Sequence, residues 1–470
     1  MTIVDGRAAA RLPFLSRVRR PVSPAGLRRR VRGTVALPGE PGYAAAAPWN
    51  RAADVRPAAV VAVTGPDDVV EVVRFARRQG WTVAVQRTGH AGVPVGERTV
   101  LVLTEGLGTV TVDPALGSAR VGAGVVWDEV LAASSPHGLA PLCGSAPGVG
   151  VAGMLTGGGL GPVARTYGVS SDRVTAIEVV TGRGELRRAT ATENADLFWG
   201  LRGGKATLGV VTAVEFDLVA QPELFGGCVW FDGADAPVVL EAWRRMAEDL
   251  PEAGTTSVAL VRLPPMPGVP EPLAGRTTVA VRYAWTGDDA SGAAHLAPVL
   301  AAATPVLGGV ARMPYTAIGA IHADPVDPMP SLEHHTLLHG LPADAVTALL
   351  DVAGPGSDCL QTVVELRRLG GAVARTPQVP SAYCHRDAAY SLLAVGVPVG
   401  PATAAVPADG ARVVAALGPW STGGMLPNFG AATDPQRLER TYDPETRRRL
   451  AALAQQHDPS GVFRTGLAVR

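Results

Sequence analysis

Gly144-Ser145-Ala146-Pro147-Gly148-Val149-Gly150-Val151-Ala152-Gly153-Met154-Leu155-Thr156-Gly157-Gly158-Gly159-Leu160-Gly161 decides how the chain is read. Eight of these eighteen residues are glycine and none is charged. Glycines let the backbone take positive φ and present its N–H groups at close range, which suits a bound phosphate or a flat heteroaromatic ring. Flexible linkers are polar and monotonous, whereas here Val149, Val151, Met154 and Leu155 interleave the glycines and anchor the loop in a core. The stretch is neither G-x-G-x-x-G after a first strand nor a loop closed by Gly-Lys-Ser/Thr. A different ligand cradle is implied.

Upstream, 60–63 reads as a strand and Thr64-Gly65-Pro66-Asp67-Asp68 as a helix start with a hydroxyl cap and an acidic first turn. Val69, Val70, Val72, Val73 and Ala76 recur at helical spacing, and Gly80 is a natural stop. A second strand over 82–86 completes a β-α-β unit. It ends in Arg87-Thr88-Gly89-His90-Ala91-Gly92, which puts a histidine in a second glycine-bearing loop. Short strands at 100–103, 109–112 and 119–121 and a small helix over 127–133 lead into the long glycine loop.

Downstream, 174–181 and 185–188 form a hairpin turned at Gly182-Arg183-Gly184. A helical turn over 196–201 then enters Arg202-Gly203-Gly204-Lys205-Ala206-Thr207-Leu208-Gly209, and 210–218 is a β-branched strand. Lys205 reads as a loop surface residue. Gln221-Pro222 marks a boundary. Beyond it, strands near 228–231, 258–263, 279–285, 359–367 and 390–395 alternate with helices near 238–248, 290–303 and 343–352, as in a large antiparallel sheet covered by helices. Asp443-Pro444 caps a last helix through Gln455, and Asp458-Pro459-Ser460-Gly461-Val462-Phe463-Arg464 follows it.

With 470 residues the chain has room for two or three domains, and its formal net charge is zero. Neither nucleic acid nor a membrane is expected as a partner, so a small molecule is the default ligand. Arginine supplies the positive charge except for one lysine, Lys205. Cys143, Cys228, Cys359 and Cys384 are too far apart to suggest a disulfide framework or a zinc site. The arginine-rich segment to Arg32, including Arg28-Arg29-Arg30, reads as a solvated arm. With no signal-like or membrane-length apolar run, a soluble, cytoplasmic protein is expected. No metal is expected, although His334, His335 and His339 are spaced like strand residues.

The loops Arg87-Thr88-Gly89-His90, Gly144 to Gly161 with Arg165-Thr166-Tyr167-Gly168, Trp199 to Thr212 and Asp458 to Arg464 together resemble a family signature. It is that of the FAD-linked oxidases with a vanillyl-alcohol-oxidase (PCMH)-type flavin domain, in their berberine-bridge-enzyme-like branch as bacteria have it. The resemblance covers nearly the whole chain. It implies an α+β fold in which a two-part FAD-binding domain carries an inserted substrate domain, an antiparallel sheet covered by helices. The boundaries are 1–220 for the FAD domain (PCMH-type core about 54–220), 221–424 for the substrate domain, and 425–470 for a segment returning to the FAD domain. FAD contacts are then implied for Arg87, Thr88, Gly89, His90, Ala91, Gly144, Ser145, Gly148, Val149, Gly150, Gly153, Thr156, Gly157, Gly158, Gly161, Val211 and Asn428, with the pyrophosphate on backbone N–H groups.

His90 matches the position joined covalently to the flavin, and the residue matching the second, cysteine anchor is Ala146, so a single link is expected. The family's proton acceptors do not carry over, since the matching positions are Leu426 and Arg375. Substitutes are Glu365, which shares a strand face with Arg367 by alternation, Tyr383, His334 or His335. Val149 occupies the family position that gates oxygen. The reading is an oxidase that removes hydride from a small, secondary-metabolite-type substrate and uses O2. A dehydrogenase with another acceptor, a flavin-dependent cyclase without net redox, and a non-catalytic binding protein are the alternatives. Substrate and oligomeric state are not readable.

Overall fold

The computed structural model describes residues 23–464 and 469. Residues 1–22 of the arginine-rich segment therefore lie outside the described residues. In the rest of that segment Arg28, Arg29 and Arg30 are exposed, as expected, but the backbone is held on the fold: Leu27 is buried, Arg28 pairs with Glu40, and Arg30 reaches Glu71 at 3.5 Å.

Strands β1 (Thr34–Ala36), β2 (Ala59–Ala62), β3 (Thr82–Gln86) and β4 (Thr99–Leu103) form a sheet of order β1-β2-β4-β3. Helix α1 (Pro66–Gln79) links β2 to β3, but β4 lies between those strands, parallel to both. Gly80 ends α1 in the left-handed region at φ +66°. The hydroxyl cap expected at Thr64 is reversed. The N-cap is Gly65, and Asp68 on the first turn accepts from the Thr64 hydroxyl and from the N–H groups of Thr64, Arg32 and Gly33.

A second, antiparallel sheet contains β5 (Val110–Asp113), β6 (Ser118–Gly122), β7 (Val174–Val180), β8 (Leu186–Thr190) and β9 (Val210–Asp217), in the order β5-β6-β9-β7-β8. Between β6 and β7 run α2 (Trp127–Ser134), the glycine loop with the short α3 (Val151–Leu155), and α4 (Ala164–Tyr167); α5 (Ala195–Leu201) precedes β9. These two sheets share one apolar core that also takes in Leu450, Leu453, Val462 and Phe463.

The third sheet is antiparallel throughout. It comprises β10 (Glu223–Asp232), β11 (Gly254–Arg262), β12 (Thr277–Trp285), β13 (Leu307–Pro314), β14 (Leu332–Leu338), β15 (Val363–Arg368) and β16 (Tyr390–Gly396), ordered β13-β10-β12-β11-β15-β16-β14. Alternation divides its two faces. Val229, Val281, Val258, Leu366 and Leu392 are cross-strand neighbours on one face, packed with α6 (Ala236–Glu248), α7 (Asp289–Leu300), α8 (Ala343–Ala353) and α9 (Val406–Ala416). The other face carries Cys228, Arg282, Ser257, Arg367 and Ser391 in one row and Glu365, Leu393 and His335 in the next. Trp243 of α6, fully buried, donates to Thr256 Oγ1 at 2.9 Å, so the largest aromatic in this core also meets its polar need.

β13 and α9 are among the elements that escape a periodicity reading. β13 is a mostly exposed edge strand with two glycines and a terminal proline, and α9 contains Pro407 and Gly410, residues that read as breakers. The strand expected from Cys359 begins only at Val363, because Leu360 N–H and Gln361 Nε2 turn aside to donate to Asp409 Oδ2.

Arg165 of α4 joins the sheets. Its buried guanidinium donates to the carbonyls of Gly254 (2.8 Å), Leu250 (2.6 Å) and Leu369, docking the end of the glycine loop on β11 and β15. Burial pulls its pKa down to about 10, so the charge persists at neutral pH. Beyond α9, α10 (Arg437–Thr441) and α11 (Pro444–His457) return the chain to the first core, where Val83 N–H donates to Val462 O at 2.9 Å.

Candidate active site

The histidine-bearing loop leaves the end of β3. Gly89 is obligatory there: it sits at φ +78°, and a Cβ would lie 2.4 Å from Pro48 Cβ. That closeness brings Trp49 over the next residue, so the Trp49 and His90 rings stack at 4.4 Å. His90 Nδ1 lies 2.7 Å from the Thr88 hydroxyl. Burial drives the His90 pKa down to about 4 against the pull of Asp324, and the imidazole is neutral at pH 7.

The glycine loop lies beside it. Arg87 packs its side chain 3.1 Å from where a Cβ on Gly150 would stand and donates to Gly124 O. Val149 N–H donates to Ala146 O at 3.1 Å, and the Val149 side chain packs, partly buried, on the first core. Ser145 Oγ donates to Asp324 at 2.7 Å. Among the described residues, the backbone N–H groups of Thr88, Gly89, His90 and Ala91 on one loop, and of Gly144, Ser145, Ala146 and Gly148 on the other, donate to no protein acceptor. Two adjacent rows of unspent donors without a basic side chain match a diphosphate, because hydrogen bonds to a charged acceptor contribute about 1.5–3 kcal/mol each.

Farther along, Thr156 O accepts from Gly203 and Lys205 N–H, both at 2.9 Å, which ties the third loop to the glycine loop. A Cβ on Gly157 would lie 2.1 Å from Asn428 Oδ1 and 2.5 Å from Lys205 Cε. Asn428 Nδ2 donates to Met154 O at 2.9 Å, and its Oδ1 is buried without a partner. Lys205 is half-buried rather than a free surface residue: its Nζ folds back to donate to Gly153 O at 3.1 Å. Gly161 fits only as glycine, with a Cβ 1.9 Å from Cys143 O, and Val211 is buried in β9 opposite Val179. These glycine-only approaches, the unpaired amide oxygen and the two rows of free N–H groups fit a dinucleotide carrying a flat polar ring.

The polar face of the third sheet turns toward these loops. Gly319 and Ala323, in the segment after β13, lie on the two sides of this junction: a Cβ on Gly319 would be 2.9 Å from Pro147, and Ala323 is held at φ +50° between His322 and Asp324. Trp49 Nε1 donates to Val326 O and Asn50 Nδ2 to Ser331 O, each at 3.0 Å, so the same segment covers the histidine loop. Asp324 is close enough to act on His90, Arg282 and Glu333.

Glu365 is the hub of that face. Its oxygens take Arg282 Nη1 at 2.5 Å, Arg367 Nε at 2.6 Å and Ser257 Oγ at 2.7 Å, with His322 Nε2 at 3.5 Å. Arg367 and Arg282 hold its pKa well below the usual carboxylate range despite full burial. Arg165, Ser257, Arg282, His322 and Arg367 line a cavity of about 30 Å³. Such a saturated carboxylate anchors an ion-pair network and is poorly suited to take a proton.

The other expected proton acceptors also sit elsewhere. Tyr383 packs its ring 2.3 Å from a Cβ position on Gly158 and clusters with Leu160, Val169, Leu337 and Leu426, under Arg386 at 5.1 Å. Burial raises its phenol pKa. His334 faces α9 at Gly410, His335 reaches Ser391 Oγ at 2.9 Å and stacks on Phe429, and His339 is exposed. Leu426 is buried, and Arg375 is exposed and paired with Glu252.

Glu333, on β14 beside the flagged histidines, is the group that sequence reasoning passed over. Its Oε2 accepts from Gly430 N–H at 2.9 Å, and burial raises its pKa. It projects from the same face as His335 and Glu365.

Comparison with known proteins agrees with this construction. A family model described as an FAD binding domain matches residues 57–190. The (R)-6-hydroxynicotine oxidase of Paenarthrobacter nicotinovorans is 27% identical over 456 residues, spanning 92% of this chain and 96% of its own. The solved structure of 6-hydroxy-D-nicotine oxidase from Arthrobacter nicotinovorans superposes with a TM-score of 0.81 at 24% identity, covering 94% of this chain and 98% of that one. A berberine-bridge-enzyme-like protein of Physcomitrella patens gives 0.81 at 20% identity, with coverage of 93% and 96%.

Replacing Glu365 by Gln leaves one buried and one half-buried guanidinium, those of Arg282 and Arg367, facing a neutral acceptor. The variant should lose about 3–5 kcal/mol of stability, read from urea unfolding midpoints. Because the folded-state pKa lies below the ordinary 4.5, the unfolded chain binds more protons in acid, and wild-type stability falls as pH drops below about 5. That acid slope should be shallower in Glu365→Gln.

Proposed function

We propose that this chain, which belongs to the FAD-linked oxidoreductases with a PCMH-type flavin domain and a berberine-bridge-enzyme-like fold, oxidises a small organic molecule of the secondary-metabolite kind at a C–H bond next to oxygen or nitrogen. The observation that carries the reading is the meeting of two donor-lined loops with the charged face of the third sheet. FAD, when bound there, would supply the hydride acceptor, with O2 as the final electron acceptor.

The chain's own contribution is to hold, orient and exchange a proton. The N–H groups of Thr88 to Ala91 and of Gly144, Ser145, Ala146 and Gly148 would hold the diphosphate, and Gly150, Gly153 and Thr156 to Gly158 would give the ring room to approach. Half-buried and neutral, His90 keeps a nitrogen lone pair available, and we assign it the single covalent attachment. Ala146 offers no second one. The substrate lies against the sheet, where Arg282, Arg367 and Glu365 form a rigid floor. Glu333 takes the substrate proton: burial makes its carboxylate more basic, and its Oε1 is not engaged in the ion-pair network. Val149 flanks the ring cradle and, with its short side chain, leaves access for O2.

Three measurements test this reading. Acid precipitation should leave flavin in the wild-type pellet and release it from His90→Ala; a colourless wild-type pellet rejects the covalent link. Glu333→Gln should fold normally and lower turnover by about 10²–10⁴-fold. After anaerobic reduction and mixing with aerated buffer, wild type should reoxidise rapidly and yield hydrogen peroxide, while Val149→Leu should be several-fold slower.

A further inference from the structure

The chain has one lysine among its 42 basic residues, and it lies at the glycine loop. Lys205 is held in the left-handed region at φ +52°. Its side chain runs past Gly157, and Nζ donates to Gly153 O at 3.1 Å. An ammonium has three N–H donors, so two remain to be spent. On the same spot of bare backbone, Asn428 presents an acceptor, Oδ1, that is buried and receives no hydrogen bond, while its Nδ2 is committed to Met154 O. The carbon that carries this ammonium, Lys205 Cε, and the unmet acceptor Asn428 Oδ1 thus flank Gly157, 2.5 and 2.1 Å from one point.

A flat ring edge with an N–H next to a carbonyl satisfies both needs at once. We propose that Lys205 and Asn428 together grip the imide edge of the flavin ring, Asn428 Oδ1 accepting from the ring N–H and Lys205 Nζ donating to the adjacent carbonyl oxygen. The inference rests on the FAD reading above. Lys205 is in this view the cation that raises the electron affinity of the ring, while Asn428 fixes its orientation.

Electrostatics are consistent with that role. Burial, with Arg437 adding to it and Glu333 opposing, lowers the Lys205 pKa to about 7. Negative charge gained by the ring would therefore be met by a group able to bind a proton in the neutral range. Arginine, with its larger planar fork and a charge that does not titrate, would not do the same at so confined a place.

Because the chain has a single lysine, incorporation of lysine labelled with 13C at Cε yields one lysine signal in the holoenzyme. Its titration should move to at least tenfold lower proton concentration when the bound flavin is reduced with dithionite. Lys205→Met should keep its flavin, and its reduced-to-oxidised ratio at a fixed electrode potential should fall at least tenfold, about 30 mV for a two-electron couple; Lys205→Arg should restore part of that ratio. Should wild type retain no flavin, the FAD reading itself fails. A flavin-loaded wild type whose lysine titrates identically in both redox states overturns the inference even if Lys205→Met does not fold, as does a Lys205→Met protein with an unchanged potential.

Discussion

A seven-stranded sheet that is apolar on one side and charged on the other must be covered twice, by different materials. Four helices cover the side bearing Val229, Val258, Val281, Leu366 and Leu392, where each large apolar side chain removed from water contributes roughly 1.5–3 kcal/mol. The opposite side carries the ion-paired Arg282, Glu365 and Arg367 beside a smaller apolar cluster. That side is instead closed by glycine loops that offer backbone rather than side chains. The polar chamber between them follows directly from period-two alternation along the strands.

Within the chamber, charge is divided between two carboxylates in contrasting surroundings. Glu365 receives two guanidiniums and a hydroxyl and is kept ionised. Glu333 receives one backbone N–H and is made more basic by burial. Two acids of the same chemical type are thereby driven in opposite directions, one held ionised and one made more basic, by their neighbours alone. Lys205, on the third loop, and Glu333, on β14, are close enough to act on each other, so groups able to exchange protons meet from different parts of the fold.

Much of this was legible in the amino-acid order because the informative features are local. Glycine runs announce close approach, Gly80 marks a helix end, and the Glu365/Arg367 pairing follows from a spacing of two. The partners of Glu365 are another matter. Ser257, Arg282 and His322 reach it from 43 to 108 residues away in sequence, through the register of β11, β12 and β15 and the turn at Ala323, and no local pattern encodes that register. Glu333 was hidden by the histidines next to it, which drew attention toward metal chemistry. β13 and α9 escaped because exposure and glycine content weaken periodicity, and Thr64 because Asp68 collects the hydrogen bonds a capping hydroxyl would have taken.

The bond from Val83 to Val462 has a consequence for biosynthesis. β3 is the edge of its sheet, and its outer partner is supplied by a segment some 380 residues later in the chain. During translation the histidine loop at the end of that strand emerges early, but the edge beneath it stays unpaired until the inserted sheet and α11 have left the ribosome. The nascent chain thus carries an open strand edge for most of its synthesis, the period in which it is most exposed to misassociation.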